Sequence, residues 1–197
     1  MENTHVKILA IAVIIANAAL PLTAGDIHGK VACKGVRNSA DAVVYVDRIA
    51  GKTFPPPAAH AKVDQKNMQF IPRVLPVVVD TTVDFLNSDA VLHNVFSPEA
   101  CADRFNLGTW PQGQVKSFTF KKECFASLLC GVHPEMEGFV AVLPTPHFAV
   151  TSADGSYHIK DVPDGTYTVK VMHSKLKAAQ KSITVNGATE ANFEIAK

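Results

Sequence analysis

Cys130-Gly131-Val132-His133-Pro134-Glu135-Met136 places a thiolate, an imidazole and a thioether at three-residue spacing. A second imidazole stands far upstream, in Leu92-His93-Asn94-Val95-Phe96-Ser97. Directly after the first stretch, Phe139 to Leu143 is a continuous apolar run, the pattern of a strand buried in a sandwich. Working outward, Val77-Val79, Val83-Phe85 and Phe118-Phe120 alternate with more polar neighbours, as half-buried strands do. Further on come Tyr157-Ile159, Tyr167-Val169-Val171, Ile183-Val185 and Phe193-Ile195, separated by Asp154-Gly155, Asp164-Gly165 and Asn186-Gly187. Those dipeptides accept the positive φ of tight hairpins. Only Ser174 to Gln180 reads as a short helical turn. The chain is therefore expected to be all-β, with sandwich architecture.

Two His, one Cys and a weak Met form the ligand set of a blue-copper electron-transfer site. The soft sulfur donors suit Cu(I), and the imidazoles also suit Cu(II). Three donors on one short loop, with the fourth on a distant strand end, let the fold clamp the metal between two chain segments. A zinc site would recruit another hard or thiolate ligand rather than Met. A dinuclear copper centre needs two cysteines within the loop, and Cys124 lies six positions before Cys130. Haem attachment needs Cys-x-x-Cys-His, which is absent. The bland alternative is a buried Cys, a surface His and a core Met.

Residues 61–144 resemble a cupredoxin of the plastocyanin and amicyanin type. The resemblance runs through Asp64 to Pro72, Val77 to Asn87, the His93-Asn94 pair and the Cys130-x-x-His133-x-x-Met136 loop. The compact loop is similar to amicyanin and to plastocyanin-like proteins labelled methylamine utilisation proteins. The resemblance implies a Greek-key cupredoxin sandwich, with His93, Cys130 and His133 as equatorial copper ligands and Met136 as the axial one. It also implies that the Asn94 side chain ties the first ligand strand to the Cys loop. Val132 and Pro134 would rim the copper edge. Two positions depart from the family pattern: Asp80 stands where a turn glycine is usual, and Gly131 replaces a commonly polar residue.

The tail from Asp154 to Val169 resembles carboxypeptidase regulatory-like and transthyretin-like β-sandwich domains. Their opening strands match Gly29-Lys30-Val31 and Ala42 to Val46, which precede the cupredoxin-like segment. Pro55-Pro56-Pro57 and Pro144-Thr145-Pro146 punctuate the chain on either side of it. The expectation is a cupredoxin domain over 58–144 and a second small β-sandwich module over 147–197. Residues 26–50 supply either the module's first strands, making the copper domain an insertion, or extra strands for the cupredoxin.

The chain has 197 residues and a formal net charge of +1. Hydrophobic residues make up 47% and charged residues 19%, which argues against disorder. The near-neutral balance argues against nucleic-acid binding, which needs a basic excess. Ile8 to Leu22 is apolar except for Asn17 and follows Lys7, the pattern of a signal peptide over residues 1–24. An uncleaved anchor is the alternative. The protein is thus expected in the periplasm or otherwise exported, with no membrane span once the leader is removed. Of the four cysteines, Cys130 is assigned to copper. Cys101 follows the His93 strand and Cys124 precedes the Cys130 strand, so these two are expected to form a disulfide. Cys33 shares parity with Ile27 and Val31, which marks a buried free thiol.

Three functions compete at this level. The first is an exported electron carrier with one mononuclear type 1 copper, docking a redox partner near His133. The second is a copper-binding or copper-delivery protein. The third is a surface binding module with a vestigial copper site. An enzyme is not expected, because no nucleophile–base set and no second His cluster stand out.

Overall fold

The computed structural model describes residues 24–197. The expected leader lies outside the described residues, except for Ala24, which opens the first strand. Among the described residues no helix is long and apolar enough to cross a membrane. In chain order the strands are β1 (Ala24–Cys33), β2 (Val43–Val46), β3 (Ala61–Lys66), β4 (Gln69–Ile71), β5 (Val74–Val78) and β6 (Thr81–Asn87). Then follow β7 (His93–Phe96), β8 (Asn106–Trp110), β9 (Val115–Phe120), β10 (Cys124–Leu129) and β11 (Glu137–Leu143). The last are β12 (Phe148–Val150), β13 (Ser156–Pro163), β14 (Gly165–His173), β15 (Leu176–Val185), β16 (Ala188–Glu190) and β17 (Phe193–Ile195). One 3-10 turn, Ala100–Ala102, follows β7.

The strands form four sheets. β3 to β11 pair only among themselves, in the orders β4-β3-β6-β9 and β5-β11-β10-β7-β8. The chain changes sheet at each of β5, β6, β7, β9 and β10, the crossover habit of a Greek-key sandwich. The flanking strands form β13-β1-β16, with β17 also on β1, and β12-β2-β14-β15. Thus β1 pairs β13 across most of the chain, Ile27 against Ile159 and Gly29 against Tyr157. Likewise β2 pairs β14, Val44 against Val171.

Three apolar cores show how the sheets stack. The first joins Ile27, Val31, Val44 and Val46 to Tyr157, Ile159, Val169 and Val171. The second joins Val63, Phe70, Val83 and Phe85 to Val95, Leu128, Cys130, Met136, Val140 and Val142. The third lies between the two sandwiches and contains Val43, Tyr45, Val74, Phe139, Ala141 and Leu143. Period two therefore sorts each inner strand between two cores. On β2, Val44 and Val46 face one core while Val43 and Tyr45 face the next. On β11, Val140 and Val142 face inward while Phe139, Ala141 and Leu143 face the interface. β2, and β11 from Phe139 onward, are continuously apolar because both of their faces are covered there. Burial also pushes the Tyr45 phenol up to about 12, with smaller help from Asp47 and Glu123.

Ion pairs flank β2 at both ends of that interface. Arg73 bonds Asp41 at 2.7 Å on one side and Glu137 at 2.9 Å on the other. Beyond the far end of β2, Arg48 pairs with Glu123. Each is partly exposed and is worth about 0–1 kcal/mol, so the apolar layer carries the packing.

Two local features differ from or refine the sequence expectation. Ser174 to Gln180 is not a helical turn: Ser174 and Lys175 are the turn of a hairpin, and Leu176 already pairs with His173 at the start of β15. Cross-strand pairing of eight β14 residues with β15 outweighs the weak helical preference of Lys-Ala-Ala-Gln. Asp80 adopts φ 67° between β5 and β6, which explains why glycine would suit that position. Cys101 and Cys124 are joined by a disulfide with Cα atoms 5.7 Å apart, and Cys33 is free and buried.

Candidate metal centre

β10 lies between β7 and β11 in its sheet, so the β10–β11 loop leaves the sheet beside His93. Cys130, the first residue of that loop, and His93, the first residue of β7, are both buried. The loop then turns, Met136 N–H donating to the His133 carbonyl at 3.0 Å. His133 is half-buried, whereas Met136 is sealed in the same core as Cys130. Three donor atoms converge. Cys130 Sγ lies 3.9 Å from His93 Nδ1 and 3.8 Å from His133 Nδ1, and the two Nδ1 atoms are 3.1 Å apart.

These separations fit a metal. Separations of 3.1–3.9 Å are of the size expected where two nitrogens and a sulfur would share one ion at bonds of about 2.0–2.3 Å. A thiolate and two imidazoles with a buried thioether three residues on is a donor set for copper rather than for a hard cation. Among the described residues, this trio is the only group of three or more His, Cys, Asp or Glu donors close enough to share a metal ion.

Asn94 holds the two segments together. Its Oδ1 accepts the Gly131 N–H at 3.0 Å, and its Nδ2 donates to Asn106 Oδ1 and the Gly108 carbonyl, each at 2.9 Å. The Asn94 backbone N–H donates to Cys130 Sγ at 3.5 Å. A Cβ on residue 131 would sit 3.1 Å from Asn94 Oδ1, so Gly131 gives the bridge its room.

One carboxylate of the site escaped the sequence reading. His93 Nε2 is bonded to Asp89 Oδ2 at 2.9 Å. Asp89 also accepts N–H groups from Asn67 at 2.7 Å and Met68 at 3.0 Å. Desolvation opposes its ionisation, but the bonds from Met68, His93 and Asn67 outweigh that and hold its pKa below the ordinary value. A carboxylate four residues before a histidine was the available signal, but in a loop that spacing has no fixed geometry.

Apolar residues next to the two ligand segments are exposed. Val132, Val91 and Leu92 are 43%, 45% and 52% exposed, and Pro134 is exposed beside them. Val91 and Leu92 directly precede His93, so these side chains come from both ligand segments.

No family model matches the chain, and no curated protein matches it. Solved structures do. A purple cupredoxin from Nitrosopumilus maritimus is 26% identical, with 42% of this chain and 98% of that chain covered and a TM-score of 0.38. A reduced amicyanin variant is 26% identical over 45% of this chain and 91% of its own, with a TM-score of 0.41. A copper-containing nitrite reductase from Thermus scotoductus is 24% identical over 51% of this chain but only 25% of its own length, with a TM-score of 0.40. The neighbours are cupredoxins and a copper enzyme, and the similarity spans about half of this chain.

Proposed function

We propose that this chain is an exported electron carrier with a single type 1 copper, held by His93, Cys130 and His133 with Met136 as axial donor. The observation that carries the reading is the convergence of Cys130 Sγ and the two Nδ1 atoms within 3.1–3.9 Å of one another, inside a mostly buried site. Copper bound there supplies a one-electron couple. The protein supplies a mixed donor set that serves both oxidation states. Asn94 braces the Cys130 segment against β7 and β8, which limits rearrangement between them. The half-buried His133 ring is the outlet, and Val91, Leu92, Val132 and Pro134 form the apolar surface on which a redox partner would dock. Small apolar contacts of this kind suit a transient encounter.

We also propose that residues 58–144 are the copper domain, inserted into a β-sandwich built from residues 26–50 and 147–197. The β1–β13 and β2–β14 pairings support this, as does the shared core of Val31, Val44, Tyr157 and Val169. Two tethers and the apolar layer behind β11 would hold the copper domain in one orientation.

The test is the absorption and electron paramagnetic resonance spectrum of the copper-loaded protein, with its reduction potential. The expected result is an intense thiolate-to-copper band, lost in Cys130→Ser, and a reversible one-electron potential. Copper binding without a reversible potential would instead indicate delivery. An unchanged band in Cys130→Ser would sink the ligand assignment.

A further inference from the structure

Three segments far apart in the chain meet at one end of the layer between the sandwiches. The β1–β2 loop contributes Arg37, Asn38 and Asp41, and the link between β4 and β5 contributes Arg73. The β14–β15 turn contributes His173 and Lys175. Together they line a cavity of about 250 Å³. Three of these side chains are cations, and Asp41 is the only acid among the lining residues. Arg73 is balanced by Asp41 at 2.7 Å and Glu137 at 2.9 Å. Arg37 and Lys175 form no ion pair among the described residues. Like charges around one concavity focus a positive potential inside it.

The walls are held in place before anything binds. Thr151 is 4% exposed and anchors the β1–β2 loop. Its hydroxyl accepts the Ala42 N–H at 3.0 Å and donates to the Ser39 carbonyl, while its own carbonyl accepts the Asp41 N–H at 3.2 Å. Asn38 Oδ1 accepts the Ala40 N–H at 3.1 Å, so the Asn38 NH2 group remains a donor. In the β14–β15 turn, Lys175 N–H donates to His173 Nδ1 at 3.1 Å. Neutral His173 therefore carries its proton on Nε2 and is a donor there. Burial lowers the His173 pKa, Asp41 opposes this, and Arg73 and Lys175 add to it, so the charges of all three segments act on one ring. The Arg73 guanidinium is oriented by its two carboxylates and by the Phe139 ring 5.4 Å away.

We propose that this cavity binds a small tetrahedral oxyanion, of the phosphate or sulfate class, through Arg37, Lys175, Asn38 and His173 against the Arg73 wall. The donor set matches that ligand. A guanidinium fork spans two oxygens, an ammonium supplies a point charge, and the neutral donors take the remaining lone pairs. The bound anion would tie Arg73, in the link between β4 and β5, to two loops of the flanking sandwich. It would thus act as a clamp across the junction. None of this depends on the metal centre or on the function proposed for it.

The test follows amide nitrogen-15 shifts of the protein as inorganic phosphate, sulfate or succinate is added, with ionic strength held constant by sodium chloride. Constant ionic strength removes the screening that would otherwise change with each addition. Phosphate and sulfate should give saturating shifts centred on Arg37 to Asp41, Arg73 and His173 to Lys175. Arg37 and Lys175 are exposed, so the Arg37→Ala, Lys175→Ala double variant should fold as wild type does. It should bind phosphate at least about tenfold more weakly, because a charge-assisted bond is lost at each position. Arg48→Ala removes the same charge beyond the far end of β2 and should leave phosphate affinity unchanged. Both anions stabilise proteins generally by exclusion from their surfaces. Tm is therefore read as a difference: phosphate should raise it more in wild type than in the double variant. No saturation up to about 10 mM phosphate overturns the site. Equal affinity in the double variant, or shifts scattered over the surface lysines, does the same. Saturation by succinate alone overturns the oxyanion class.

Discussion

Phe139 tests whether the two sandwiches act as one packed body. Its ring is 4% exposed, stacks on Phe125 at 5.3 Å and carries the Arg73 guanidinium 5.4 Å from its centroid. It belongs to the layer between sandwiches, whereas its neighbour Val140 points into the core with Cys130. Truncation to Ala should cost about 3–5 kcal/mol for lost burial and the cavity left behind. Losing a partly exposed cation–π contact adds roughly 0.5–1 kcal/mol. For a chain of this size, a loss of about 4 kcal/mol lowers Tm by roughly 8–16 °C. Unfolding should be followed by circular dichroism and by the copper band in the same scan. Both signals should move down together in Phe139→Ala, while the low-temperature copper spectrum stays as in wild type. A Tm loss below about 3 °C would show that the interface is not packed around this ring. A changed spectrum in the folded variant would refute the division of β11 between two cores.

Three further outcomes are expected. Met136→Leu should retain copper but raise the reduction potential, because only a weak axial donor is lost; protein-film voltammetry checks this. Replacing Cys101 and Cys124 by Ala opens a cross-link of sequence separation 23 and should cost on the order of 3 kcal/mol. The copper spectrum should survive, since β10 separates Cys124 from Cys130 by roughly 20 Å. His147 lies at the junction, its ring edge-on to Phe54 at 5.7 Å, and burial lowers its pKa below 6.5. His173 is lowered by burial too. The unfolded chain then binds more protons, so stability falls as pH drops through about 6.5 and below. Denaturant midpoints from about pH 7.5 to about pH 5.5 should show this, and His147→Phe should flatten the slope; an unchanged slope would remove His147 as the cause.

The sequence by itself determined the period-two strands and which side chains could act as donors. Period two is written in side-chain polarity, and Asp154-Gly155 and Asn186-Gly187 mark where the chain turns with positive φ, although each turn carries it into another sheet rather than into a hairpin. The Cys130-x-x-His133-x-x-Met136 spacing puts a thiol, an imidazole and a thioether on one loop, a grouping readable before any fold. Tertiary structure decided what covers each strand. An apolar run such as Phe139 to Leu143 shows that both faces are buried, but not that one meets the Cys130 core and the other meets Val43 and Tyr45. Ser174 to Gln180 misled because a hairpin's register is a cross-strand property, absent from local preference. Asp89 was illegible for a related reason: a loop carboxylate looks like any solvated charge until Asn87, the β3–β4 turn and His93 close around it. Local polarity encodes which way a side chain faces, while the partner it meets is fixed only when distant segments share one core.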